Sequence, residues 1–255
     1  MRALHITPAI VLRSWPFGES DKIVSFLTEH HGKVTGLAKG AKRSRKRFVN
    51  TLELFSLVNL RFQDRPHGAL AFIHACDLIR PFRGIATSLE NIAHASYLVE
   101  VTDGLVGERE ENQPIFAHLK EGLSLIEETG SSFAFLTFFE LKMLKLSGYQ
   151  PMLERCRRCG KNWQSGSETR WCFSSTDGGI LCDLCSTLRK GTAALSPEAL
   201  SVLVELQRAN GSRLPGLSLP PLVVKEIRAA LCRFIQLQTN KALKSASFLE
   251  TFSQV

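Results

Sequence analysis

A chain of 255 residues with 44% hydrophobic and 22% charged side chains and a net charge of +8 has the composition of a globular protein, with room for two compact units and a small module. Its apolar runs, residues 9–12 and 133–146, are too short or too interrupted by Glu140, Lys142 and Lys145 for a signal peptide or a membrane span. Seven cysteines, an odd number, suit a reducing, cytoplasmic setting better than a secreted disulfide framework.

The first 80 residues carry short runs of β-branched and aliphatic residues divided by Gly, Pro, Asp and Ser. Five strands are predicted: Ala9 to Trp15, Asp21 to Thr28, Lys33 to Ala38, Leu54 to Gln63 and Gly68 to Asp77. The turns fall at residues 16–20, 31–32 and 64–68. In the second strand Ile23, Ser25 and Leu27 alternate with Lys22, Val24, Phe26 and Thr28, so both faces carry apolar groups. Short strands of this kind suit a small closed barrel, and five of them in about 80 residues fit the oligonucleotide-binding (OB) fold.

The charge is concentrated in the same stretch. Residues 1–80 hold 13 Lys and Arg against 6 Asp and Glu, whereas residues 81–255 hold 19 against 18. Six cations, Lys39, Lys42, Arg43, Arg45, Lys46 and Arg47, stand within nine residues with no acid among them. The run follows a predicted strand and reads as a basic loop that contacts phosphates without reading bases. A solvated loop that only aids solubility is the alternative; density and barrel context favour nucleic acid. Arg13, Lys22, Lys33 and Arg61 extend the candidate footprint, and Trp15, Phe17 and Phe62 are candidate stacking surfaces, with core packing expected for at least one of them.

After Pro81 the period changes to helical. Helices are predicted from a Ser88 cap to about Leu105, from Pro114 to Glu128, and from Ser131 or Ser132 through Ser147, where Gly148 ends the last. Two more follow, from Ser196-Pro197 to about Arg208 and from Pro221 to about Leu243. Between them, residues 151–190 hold the pairs Cys156/Cys159 and Cys182/Cys185 with 22 residues intervening. Two Cys-x-x-Cys bites read as one closed four-thiolate structural zinc site, with Gly160 freeing the first turn and Asp177-Gly178-Gly179 turning a ribbon hairpin. A redox dithiol, a disulfide pair and a catalytic zinc each lack a supporting neighbour, and Arg155, Arg157 and Arg158 suit a thiolate cluster. Cys172 either replaces a ligand or sits unliganded on the ribbon, and the paired bites favour the second; Cys76 and Cys232 read as packing residues.

The fold class is therefore α+β and multidomain: an OB barrel over residues 1–80, a helical domain over 81–150 and 191–255, and a four-cysteine zinc module inserted at 151–190. Gly36 to Lys42 fails the spacing of a phosphate loop, and no catalytic constellation is present in the sequence. The absence of one points to a binding protein rather than an enzyme. A zinc-ribbon RNA-binding or transcription accessory factor is the alternative within that class.

In this order of parts the chain resembles the RecO family of bacterial recombination and repair mediators. The likeness is carried by residues 10–14 (IVLRS), 18–24 (GESDKIV), His31-Gly32-Lys33, Ala38-Lys39-Gly40, residues 146–149 (LSGY) and Leu243-Lys244-Ser245, all in register. It implies non-catalytic binding of single- and double-stranded DNA and annealing of complementary strands. It further implies partnership with RecR and with the single-stranded-DNA-binding protein, help in loading RecA onto coated strands, and a cytoplasmic, nucleoid-associated location. Lys225, Arg228, Arg233, Lys241 and Lys244 are either a second basic surface or the receiver of the partner's acidic tail, with simple helix solvation as the third reading.

Overall fold

Five strands, β1 (Leu4–Phe17), β2 (Asp21–Thr28), β3 (Lys33–Ala38), β4 (Leu57–Gln63) and β5 (Ala71–Arg80), close into a barrel in the order β1-β2-β3-β5-β4 in the computed structural model. The structure describes residues 3–65, 70–164, 170–187, 189, 191–209 and 217–250. The interior is filled from every strand, with Val11, Val24, Phe26, Val34, Phe62 and Ile73 among its buried side chains. All pairings are antiparallel except β3 with β5, which is parallel and joins only Gly36 to Ala71 and Leu37 to Phe72. Gly36 permits that closure: a Cβ there would stand 2.4 Å from Ile73 Cδ1.

The predicted second and third strands match those observed. The first begins earlier, at Leu4, because residues 4–10 pair with β4 and Pro8 sits in that ladder, supplying its carbonyl to Glu29 N–H at 2.9 Å. The fourth begins later, at Leu57, because residues 52–55 turn: Phe55 has φ 70° and its N–H reaches back to the Val11 carbonyl. The fifth runs on to Arg80, and its predicted start at Gly68 lies outside the described residues.

By internal contacts the chain forms two units, Met1–Glu128 and Thr129–Val255. The first contains the barrel, α1 (Leu89–Leu105) and most of α2 (Gln113–Thr129). Ser88 caps α1 by accepting from Asn91 N–H. Arg80 at the end of β5 donates to Glu127 Oε2 of α2 at 2.6 and 2.9 Å.

The second unit starts with α3 (Phe133–Leu146), capped by Ser132 and buried without interruption from Ala134 to Leu141. A three-stranded sheet follows, in the order β7-β6-β8, from β6 (Trp171–Ser174), β7 (Gly179–Cys182) and β8 (Ala193–Leu195), with the short helix α4 (Asp183–Ser186) after β7. The chain closes with α5 (Pro197–Arg208), α6 (Pro221–Thr239) and α7 (Lys244–Glu250). Glu140 of α3, fully buried, accepts from Arg228 of α6 at 2.5 Å, so an acid that looked like an interruption of an apolar helix is a paired core residue. The last predicted helix ends at Thr239 rather than near Leu243 because Asn240 takes the left-handed conformation at φ 51°, and α7 lies beyond its predicted end.

Candidate nucleic-acid interface and metal centre

The basic run forms a single 3-10 turn, Ala41–Arg43, and then an irregular loop to β4. Its mount is hydrophobic. Ala41, Phe48 and Leu52 point into the barrel interior and belong to the same buried cluster as Phe26 and Phe62. Hydrogen bonds stitch the backbone down: Lys42 N–H to the Ser20 carbonyl at 2.9 Å, Cys76 N–H to the Arg47 carbonyl at 3.1 Å and Val11 N–H to the Ser56 carbonyl at 3.0 Å. Gly40 N–H donates to Asp21 Oδ1 at 2.8 Å, and this bond, with that from the Ser20 hydroxyl, holds the Asp21 carboxyl below its ordinary pKa.

The cations therefore stand on a fixed base. Lys39, Arg43, Arg45 and Lys46 are exposed, and among the described residues none of their side chains is hydrogen-bonded or ion-paired to the protein. Lys42 donates from Nζ to the Gly18 carbonyl at 2.7 Å, and Arg47 donates to the Lys39 carbonyl at 2.9 Å while lying over the Phe48 ring. Neither bond neutralises the charge. Phe48 and Leu52 were not singled out as site residues from the sequence; the signal for them was an aromatic and a leucine just past a run of cations.

The wider footprint divides. Lys33 is 8% exposed: its Nζ donates to the Asp103 carbonyl at 2.8 Å and faces Asp103 Oδ1 at 3.5 Å, so it supplies a cation near the C-terminus of α1 and is withdrawn from the surface. Arg13 also pairs with Asp103, at 2.7 Å, but its side chain remains 49% exposed. Lys22 faces Glu53 at 3.4 Å, and Arg61 pairs with Asp77. Of the three aromatics, Phe62 is fully buried in the core, while Trp15 and Phe17 are exposed.

In the second unit the four cysteines converge. Cys156 and Cys159 come from a tight knuckle closed by Cys156 N–H to the Lys161 carbonyl at 2.8 Å and Gly160 N–H to the Cys156 carbonyl at 3.0 Å, with Gly160 at φ 75°. Cys182 ends β7 and Cys185 lies on α4. All four Sγ atoms lie within 4.8 Å of one another, and Cys159 Sγ is 3.6 Å from Cys182 Sγ. A tetrahedral ion with metal–sulfur bonds of ~2.3 Å has sulfur–sulfur edges of ~3.8 Å, whereas a disulfide requires ~2.05 Å. The thiols thus fit a closed four-ligand metal site. Burial raises the Cys156 thiol, but backbone N–H groups of Cys159, Cys182 and Arg158 outweigh it and bring it to about 6; burial and the neighbouring thiols push Cys185 up to about 12. Cys172, on β6 opposite Leu181 and Ala194, is outside the cluster. Cys76 is buried in the barrel, where burial raises its thiol, and Cys232 is half-buried.

The hairpin below the site is tied by Asp177, which accepts from the Ser174 hydroxyl at 2.6 Å and pairs with Arg158 and Arg189 at 3.4 and 3.2 Å. No helix among the described residues is long and apolar enough to cross a membrane.

Comparison with known proteins matches both units. The family model for Recombination protein O N terminal covers residues 1–82, and that for Recombination protein O C terminal covers residues 86–247. The DNA repair protein RecO of Syntrophus aciditrophicus strain SB is 33% identical over 256 residues, spanning 100% of this chain and 98% of that protein. That of Anaeromyxobacter sp. strain Fw109-5 is 34% identical over 242 residues, 94% and 93% of the two chains. That of Caldanaerobacter subterraneus subsp. tengcongensis is 31% identical over 244 residues, 95% and 96%. A closed basic barrel followed by helices that enclose a four-cysteine cluster, matched by family models along nearly the whole length, places the chain in the RecO family of DNA repair proteins.

Proposed function

We propose that this chain is a non-catalytic recombination mediator. It binds single- and double-stranded DNA through the basic loop, anneals complementary strands and, with RecR, helps load RecA onto strands coated by the single-stranded-DNA-binding protein. The observation that carries the reading is the loop's construction: exposed cations without an ion pair among the described residues, held on a hydrophobic mount rather than on a free tether. Cations so placed bind phosphates without reordering the loop, and a cationic surface lowers the repulsion between two backbones without making or breaking a covalent bond.

The metal of the reading is one structural zinc held by Cys156, Cys159, Cys182 and Cys185; it supplies folding energy to a module with a small core of its own. The acidic tail of the single-strand-binding partner would find its chemistry in an open cleft of about 460 Å³ lined by Arg233, Lys241, Leu237, Gln236 and Asn240, where cations adjoin an apolar side chain. A location in the bacterial cytoplasm at the nucleoid goes with this role.

The test is annealing of complementary strands coated with their cognate binding protein, using the native chain and a variant neutral at Lys42, Arg43, Arg45, Lys46 and Arg47. Acceleration by the native chain and its loss in the variant is the expected result. No acceleration by either protein would overturn the mediator reading.

A further inference from the structure

Resting on the DNA-binding reading of the barrel, we propose that Trp15 and Phe17 form a base-stacking platform that admits single-stranded nucleic acid and rejects duplex. The placement starts in β1. A bulge between Val11 and Arg13 resets the strand's alternation, so that Arg13, Trp15 and Phe17 stand opposite Ser25, Ile23 and Asp21 of β2, while the intervening β2 residues Val24 and Phe26 fill the interior. Trp15 and Phe17 therefore lie on the barrel's outer face, 38% and 51% exposed.

They do not stand alone there. Register places Trp15, Ile23, Leu37 and Phe72 in one row across β1, β2, β3 and β5. Ile23 and Leu37 are only 8% and 7% exposed despite facing outward, so the row has a covered apolar floor with a tryptophan at one end. At the other end Phe72 is engaged by the Arg65 guanidinium, 5.6 Å from its centroid, and by the edge of His74 at 4.7 Å. Trp15 and Phe17 have no ring or cation partner among the described residues.

The basic loop is fastened to this same hairpin. Lys42 bonds the Gly18 carbonyl, next to Phe17, through its side chain and the Ser20 carbonyl through its backbone; Gly40 bonds Asp21, which faces Phe17 across the strands. Phosphate-binding cations and open aromatic rings thus share one rigid edge, and this charge complementarity selects an anionic ligand with flat faces. Alternate residues on a strand are ~6.8 Å apart, twice the ~3.4 Å rise per nucleotide of a duplex strand. In a duplex each base face is covered by its neighbour. Only an unstacked strand can offer bases at the spacing of these rings.

The experiment measures binding of oligothymidine and of a duplex of equal length to the full chain and to a Trp15→Ala, Phe17→Ala variant, across a salt series. The expected result is a roughly 10- to 100-fold loss for oligothymidine in the variant, from base–aromatic stacking, with duplex affinity and salt slope unchanged. A second readout does not depend on the double variant's fold: oligothymidine should quench tryptophan fluorescence in the native chain, and the quench should vanish in Trp15→Phe, which still binds. Equal losses on both ligands, or a quench that survives in Trp15→Phe, would overturn the platform and leave the loop reading intact. If the native chain binds neither ligand, the loop reading falls with it.

Discussion

Lys33 and Lys46 carry the same group and sit in opposite physical circumstances. Lys33 is buried against the Asp103 carbonyl and carboxylate, so its removal leaves that carbonyl without its donor and the 7% exposed carboxylate with Arg13 as its cation. Lys33→Ala should lose about 1–3 kcal/mol in urea unfolding, the range for leaving a buried acceptor without its donor, with the salt slope of DNA binding unchanged in the folded protein. Lys46 is exposed, and Lys46→Ala should change stability by no more than about 0.5 kcal/mol while flattening the single-strand salt slope by ~0.7. Charge run and local composition grouped these residues correctly as basic, but could not separate them, because Lys33 is buried by Asp103, 70 positions away. Asp21 gives the pH dependence. Its folded pKa lies below the ordinary 3.8, chiefly through the Gly40 N–H bond, so the stability it contributes is complete above that value and is lost as pH falls through the lower, folded one. The melting temperature of the native chain should drop along that acid limb, and the limb should be shallower in Asp21→Ala.

Among elements, the basic loop depends most on a residue outside its chemistry. Phe48 is 5% exposed in the barrel core, and Phe48→Ala should cost about 3–5 kcal/mol by cavity formation and free the loop's anchorage, read as lost stability together with weaker DNA binding. Chelation should remove the zinc proposed for the four thiols and loosen the β6–β7 ribbon, seen as a change in Trp171 fluorescence, because such a metal would join a knuckle, a strand end and a short helix. Where local chemistry decides an element, residue order was sufficient: Ser88, Ser132 and Ser196 each cap the helix foreseen for them, and the Cys-x-x-Cys bites converge. It was insufficient where a distant partner decides. The first half of β1 exists because β4 pairs with it, β8 is a three-residue strand that needs β6, and Leu54 and Phe55 are strand-like residues bent into a turn whose N–H bonds Val11. A single asparagine, Asn240, ends α6 short of the Leu243 to which periodicity carries it.

At the scale of the whole molecule, residues 1–80, which build the OB barrel, carry 13 cations against 6 acids. If the four untethered loop cations alone engage a single strand, log affinity should fall with log salt at a slope of about −3; engagement of Lys42 and Arg47 as well brings it to about −4. A titration of oligothymidine binding at several salt concentrations decides between them. The barrel itself is closed unevenly. Residues 9–17 of β1 run alongside β2, whereas β3 meets β5 through Gly36–Ala71 and Leu37–Phe72 alone. With so few hydrogen bonds, and with the two strands brought together from distant parts of the sequence, that seam is the last part of the cylinder to zip up and the first to breathe. Amide protons flanking it should trade with deuterium ahead of those on β1 and β2, marking a built-in line of parting along an otherwise continuous wall.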